Sequence, residues 1–371
     1  MRELDLTVAT IYTQLLQQGL DAEFEADFPE NGSFSVRTIK GRRYWYYNGY
    51  DKLTGGKYQK YVGPADDAGI SGRVERFQSL KSDFRTRRQL VSALRGAGAS
   101  APEPFVAEVV NVLRKAGVFR LRCVLVGTVA YQCYGPMLGV ILRPEMTKDA
   151  DFAQYHSVSV GIGEDERLAP LADALRDLDP TFQEVVHRND PERIVAFANK
   201  DGFHVEFLTP NRSKAEYQDH AATMPALGQH MGAQPLQMGA QPLRYLDYLI
   251  REPVRAVLLH GVGVPVTVPR PERYAVRKLI VATQRRTDGE YGAKRDKDIS
   301  QAGEITEAMH VKRRWLDLAE AWIEAWERGP AWRDALGKGR AMLPDRERGL
   351  LADCMARAGR EMDMDPAGYG F

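Results

Sequence analysis

The spacing of apolar residues changes character along the chain, and each change marks a region. Residues 6–20 (LTVATIYTQLLQQGL) carry apolar side chains at helical spacing and stop near a glycine, which predicts a helix. Over residues 32–64 the pattern shortens to alternation, rich in β-branched and aromatic residues. KG, NGYD and TGG supply turn signals, so a strand meander is expected. A basic helix over about 72–94 and a small-residue linker over 96–104 close this first region.

From about 101 to 260, helix and strand signals alternate. PFVAEVVNVLRKAG predicts a helix ending at Gly117. LRCVLVG (121–127) reads as a short buried strand and TVAYQCYGPMLG as the helix after it. KDADFAQ is a short alternating strand, and 166–178 form an amphipathic helix. RIVAFANKDGFHVEFLTP reads as a hairpin turning at Asn199-Lys200-Asp201-Gly202. MGAQPL occurs at 231–236 and again at 238–243; two copies read as a duplication in a surface loop, not a solenoid. After the strand-like GVPVTVP and the Pro-rich PRPERY the chain turns helical, over 274–284, 299–326 and 346–358. The expected division is therefore 1–100, 101–265 and 266–371, in a mixed α+β fold.

Composition narrows the class. Hydrophobic residues at 44% and charged residues at 27% give an ordinary globular balance, and VRAVLLHGVGV is too short and interrupted to span a bilayer. The start, MRELDLTVAT, lacks an apolar signal region, and Cys123, Cys133 and Cys354 form neither a CxxC nor a Cys/His cluster. A reducing cytoplasm is the expected setting, with no membrane partner. Net charge is only +1, but it is unevenly spread. Residues 36–98 carry 14 Lys/Arg against 5 Asp/Glu, whereas 1–35 carry 1 Arg against 7 acids. Such asymmetry reports either a polyanionic partner or two elements that pair with each other.

The chemistry concentrates in the middle region. Asp149 and Asp151, at i and i+2 on a strand, project to one face and suit a shared pair of hard divalent ions. Glu206 lies mid-strand between Val205 and Phe207, on a face shared with His204 and Leu208, where an acid needs a metal or a partner; Arg193 across the hairpin is the structural alternative. Gly127 and Thr128 follow a strand and open a helix, the arrangement that binds phosphate through backbone N–H groups and a hydroxyl. His156, His187, His204 and His310 show no ligand spacing, and no P-loop or GxGxxG in a βαβ setting is present.

Taken in order, the strand, Gly-Thr turn, helix, DADF and VEFL on a hairpin resemble the nucleotidyltransferase superfamily of DNA polymerase β. More narrowly, GTVAYQCYGPMLGV, TKDADFAQ, VEFLTP, PLRYLDYLIREP, VPVTVPRPERYAVRKLIVATQRR and KRDKDISQA, with RRYWYY and YVGP in front, are similar to a bacterial family of stand-alone nucleotidyltransferase-fold proteins. The resemblance covers about 32–302. It departs in having Gly-Thr for Gly-Gly or Gly-Ser, Glu206 for Asp, and a long spacing from Gly127 to Asp149 that requires an insertion to loop out.

The resemblance implies a mixed sheet with flanking helices, an N-terminal β-containing module and a C-terminal helical region. It implies transfer of an NMP from an NTP with release of pyrophosphate, using two Mg²⁺ (or Mn²⁺) ions. Asp149, Asp151 and Glu206 would be the catalytic and metal-binding residues, and Gly127 and Thr128 the phosphate cradle. Lys278 and Lys294 would contact the nucleotide, although Lys294, Arg295, Lys297 and Asp298 also suit a helix start with Asp298 or Ser300 as N-cap. Among acceptors RNA, such as tRNA, leads, ahead of a protein hydroxyl and a small molecule. Arg42, Arg43, Tyr44, Trp45, Arg85, Arg87 and Arg88 are candidate RNA contacts, since interleaved cations and aromatics suit stacked bases. Tyr44 and Tyr46 share one strand face and Trp45 and Tyr47 the other, so one face must be core. A toxin–antitoxin role is compatible with the resemblance. A catalytically inactive, nucleic-acid-binding relative is the rival reading.

Overall fold

The computed structural model describes residues 1–21, 32–39, 41–50, 56–162, 171–212, 221–230 and 236–371. A two-residue β1 (Arg2–Glu3) leads into α1 (Leu6–Asp21). The meander follows as an antiparallel sheet of β2 (Ser33–Ile39), β3 (Arg42–Tyr50) and β4 (Lys57–Pro64). Asn48 and Gly49 continue β3 instead of turning. The long α2 (Ala68–Gly96) then packs against α1. The expected linker is short and partly buried, with Ser100 donating to the Leu142 carbonyl at 3.1 Å.

The central unit begins with α3 (Pro104–Ala116), closed by Gly117 in the left-handed conformation. Next come β5 (Val124–Val126), α4 (Gly127–Leu138), β6 (Val140–Ile141), β7 (Asp149–Ala153), α5 (His156–Ile162) and α6 (Leu171–Leu178). The expected helix over 166–178 is seen over Leu171–Leu178, and 163–170 lie outside the described residues. β8 (Gln183–His187), which the sequence pattern did not signal, pairs with β9 (Asp190–Ala198), and β9 forms the expected hairpin with β10 (His204–Pro210). Short β11 (Ala222–Thr223) and β12 (Gln229–His230) pair with β13 (Leu236–Leu243). The first MGAQPL copy lies mostly outside the described residues. The second corrects the loop reading: it forms most of β13, with Met238 and Ala240 buried, parallel to both β9 and β10.

The sheet is mixed, since β7 runs parallel to β10 and antiparallel to β5. Phe152 and Phe207, both 1% exposed, stack across β7 and β10 with centroids 6.0 Å apart, and Phe119 and Phe197 pack around them. Each such buried ring contributes about 1.5–3 kcal/mol of hydrophobic stabilisation.

The chain continues through α7 (Leu246–Leu249), the hairpin β14 (Val254–Leu258) and β15 (Val264–Val268), and α8 (Pro271–Ala282). One long helix was expected over 299–326. There are two, α9 (Gly289–Val311) and α10 (Trp315–Glu327), broken where Arg313 takes φ +56°. α11 (Pro330–Met342), also unsignalled, and α12 (Asp345–Met362) complete the helices. A single apolar cluster runs from Val106 to Ala358 and so joins the sheet to these helices. A smaller one ties α1 and α2 to Val257 and Leu259. No helix among the described residues is long and apolar enough to cross a membrane.

One basic residue of α2 corrects the list of RNA contacts. Arg87 is 3% exposed and donates from Nη2 to the Gly263 carbonyl at 2.9 Å, so it fastens α2 to the β14–β15 turn. Arg85 and Arg88 stay exposed. Arg87→Ala is expected to cost about 1–3 kcal/mol by removing this buried donor, and Arg88→Ala less than about 0.5 kcal/mol. Urea unfolding of the two variants checks the contrast.

Candidate functional site

β7 reads Asp-Ala-Asp-Phe-Ala and β10 His-Val-Glu-Phe-Leu from their first residues. Ala150, Phe152, Val205 and Phe207 are all at most 1% exposed, so alternation sends Asp149, Asp151, His204 and Glu206 to the other face. The register puts Glu206 opposite Asp151 and His204 opposite Asp149. Adjacent strands lie about 4.8 Å apart, so the three carboxylates form one patch. On the far side of β7, Val126 pairs with Asp151, which sets Gly127 beside that carboxylate. Gly127 has φ +68°, and a Cβ there would sit 2.2 Å from Asp151 Oδ2. Only glycine fits this turn. It opens α4, whose first turn has no side-chain cap; Thr128 sits buried in that turn.

The patch is electrostatically tense. Burial pushes the Asp151 carboxyl up to about 8, with the charges of Asp149 and Glu206 adding to the rise and Lys278 and Arg277 opposing it. Glu206 is raised too, by burial and then by Asp149, while His204 and Lys294 pull it back. Solvent reaches the Glu206 side chain, yet the cleft walls still desolvate its carboxyl. Thr147 donates its hydroxyl to Asp149. Glu206 does not pair with Arg193, which binds Thr223 Oγ1 at 3.1 Å instead. Among the described residues no three acidic, histidine or cysteine side chains stand ready-made as a metal cage. The donor set nevertheless fits hard divalent cations. It is all carboxylate oxygen, and its mutual repulsion is what a cation relieves.

The cations of α8 and α9 are sorted differently from expectation. Lys278 lies near enough to Asp151 for its charge to be felt, but its ammonium is 2.5 Å from Asp298 Oδ1, and Arg285 binds the other oxygen of that carboxylate. Lys278 is thus committed to a buried ion pair and is not a free phosphate ligand. Asp298 is 2% exposed and within α9, so neither it nor Ser300 caps a helix; Asp288 holds the N-cap position. Arg277, one residue earlier on the same helix, is the cation placed beside the carboxylates instead. It is half-buried, its Nε finds no hydrogen-bond partner among the described residues, and its charge acts on Asp151. Lys294 is exposed on the first turns of α9 and acts on Glu206.

Tyr274 connects these helices to the turn. Its hydroxyl donates to the Gly127 carbonyl at 3.0 Å and lies 2.9 Å from the Gln301 side-chain oxygen. The long spacing between Gly127 and Asp149 does not loop out freely. After α4 and β6 it runs along α9, where Arg143 N–H binds Glu304 and Lys297 binds the Met146 carbonyl, both at 3.0 Å. Of the aromatic candidates, Trp45 turns inward and donates from Nε1 to Ser71 Oγ at 3.0 Å, which removes it from any stacking surface. Tyr44 is half-buried, and Arg42 and Arg43 are exposed.

Gly127→Ala should strain the left-handed turn by about 1–2 kcal/mol and drive the Asp151 carboxylate aside. Guanidinium unfolding checks the first effect.

No curated protein and no solved structure matches the chain. The profile of a nucleotidyltransferase family, however, matches residues 105–327, more than half of its length. That span contains the three carboxylates, the Gly127 turn, α8 and α9. The chain belongs to this nucleotidyltransferase family.

Proposed function

We propose that the chain moves a nucleoside monophosphate from a nucleoside triphosphate to a hydroxyl of RNA, with release of pyrophosphate. The observation that carries this reading is the alignment of Asp149, Asp151 and Glu206 on one face, with the Gly127 turn against Asp151. Phosphoryl-type transfer asks a protein chiefly for positioning and charge neutralisation. Backbone N–H groups at the start of α4 and the Thr128 hydroxyl hold phosphate oxygens. Arg277 compensates triphosphate charge from α8, and Lys294 from the open side. Glu206, reached by solvent, takes the proton of the acceptor hydroxyl. The acceptor oxygen then bonds to the α-phosphorus as the bond to the β-phosphate oxygen breaks. Two Mg²⁺ or Mn²⁺ ions, held by Asp149, Asp151 and Glu206, would supply Lewis-acid neutralisation of the reacting phosphates.

RNA is favoured as acceptor by the excess of 14 Lys/Arg over 5 Asp/Glu in residues 36–98. The test incubates purified protein with Mg²⁺ or Mn²⁺ and each α-³²P-labelled NTP, adding total RNA or lysate protein. Label should enter RNA and fall about 100-fold or more in Asp149→Asn and Asp151→Asn. Label on protein would move the acceptor to a protein hydroxyl. NTP binding that ignores both substitutions would favour an inactive, nucleic-acid-binding relative.

The neighbouring cations separate by role. Arg277→Ala should raise the KM for NTP about tenfold or more with little change in melting temperature. Lys278→Met should instead destabilise the fold, by about 1–3 kcal/mol, because it takes a partner from buried Asp298. Steady-state kinetics and thermal melts on both variants check the assignment.

A further inference from the structure

The β2–β4 sheet has two unlike faces, and the transfer site uses neither. One is internal: Trp45 is bonded to Ser71 on α2, and Tyr47 is 0% exposed with its ring edge-on to Phe34 at 5.3 Å. The other face carries Arg42, Tyr44, Tyr46 and Asn48 of β3 by alternation. Ser35 and Arg37 of β2 stand opposite Tyr46 and Tyr44. Arg37 and Arg42 are exposed, and Tyr44 and Tyr46 half-buried. The Arg37 guanidinium lies 5.6 Å over the Tyr46 ring. Asn48 donates to Ser35 Oγ at 2.9 Å and ties the lower part of this face together.

Charge selects the kind of partner. The three strands contain five Lys/Arg (Arg37, Arg42, Arg43, Lys57, Lys60) and no Asp or Glu. A face of aromatic rings and guanidinium groups whose own strands carry no carboxylate is matched to a polyanion that has flat, stackable groups. Tyr44 and Tyr46 are two residues apart on one strand, so their rings are spaced by about 7 Å. That is about twice the stacking distance inside a helix, and it suits bases splayed from an extended strand. An acidic protein would satisfy the arginines but leave the rings without a counterpart.

We infer that this second face of β2–β4 is a binding surface for single-stranded RNA, with bases stacking on Tyr44, Tyr46 and the Arg37 guanidinium and phosphates contacting Arg42. This surface deepens the proposed function and rests on its RNA acceptor. Its interactions are independent of catalysis, so it binds RNA without nucleotide or metal.

The test is fluorescence anisotropy of a fluorescein-labelled single-stranded RNA 15-mer titrated with the full chain, in EDTA and without NTP. Binding should weaken as salt rises, and the blunt duplex of the same sequence should bind several-fold more weakly. Tyr44→Ala/Tyr46→Ala should weaken single-strand binding about tenfold or more, and Tyr44→Phe/Tyr46→Phe should restore most of it, since stacking needs the ring and not the hydroxyl. Asp149→Asn/Asp151→Asn should bind like the parent. No RNA binding, or equal binding by the alanine variant, overturns the surface. Equal loss in the phenylalanine variant also overturns it, because stacking is then not the cause. If the surface fails while label still enters RNA in the transfer assay, the transferase reading stands without it. If binding holds and no label transfers, the surface stands alone.

Discussion

The structure depends on keeping β7 and β10 in one register. Ala150, Phe152, Val205 and Phe207 are buried between the sheet and its helices, and a slip of one residue would exchange them for Asp149, Asp151 and Glu206. The apolar face therefore forces three acids onto the other side, where they face one another. The resulting desolvation, with their mutual repulsion, lifts the Asp151 carboxyl to about 8. Holding like charges together in this way gives up stability locally, the cost that the proposed cations would relieve. The Gly127 turn answers the same demand. It comes so close to Asp151 that no side chain fits between them.

The helices beyond the sheet complete the site by sorting charge. Asp298 takes Lys278 and Arg285, buries both contacts in the α8–α9 interface, and leaves Arg277, whose Nε has no hydrogen-bond partner among the described residues. Tyr274 reaches from the same helix to the Gly127 carbonyl. Movement of α8 would accordingly be felt at the Gly127 turn and at the carboxylates together. The apolar cluster that runs continuously from α3 to α12 makes such movement costly.

Much of this was legible in the sequence because it lives in short-range patterns. The alternation in DADFA and HVEFL fixed which acids share a face, and the Gly after a buried strand marked the turn at the start of α4. Long-range partners were not legible. Lys278 and Arg277 are adjacent on one helix, and only the position of Asp298, 20 residues on, decides which is neutralised. Arg87 looked like any basic helix residue until the Gly263 carbonyl, 176 residues away, gave it a buried partner. The MGAQPL copy in β13 was read as a duplication in a surface loop, and its Gly and Pro are poor strand formers. Pairing with β9 on one stretch and β10 on the next overrode that propensity. The break between α9 and α10 needed Arg313 in a conformation that sequence periodicity does not reveal. β8, with Val185 and Val186 largely exposed, lacked the apolar face that would have announced it.

The central claim is that the carboxylate face and the Gly127 turn together receive a metal-bound nucleoside triphosphate. Its most direct test is anomalous diffraction from crystals soaked with Mn²⁺ and an α,β-methylene NTP analogue. The account predicts manganese between Asp149, Asp151 and Glu206, with phosphate oxygens on the backbone N–H groups of Gly127 and Thr128 and the Arg277 guanidinium alongside. Manganese peaks away from these carboxylates, or a triphosphate lodged elsewhere on the molecule, would contradict it.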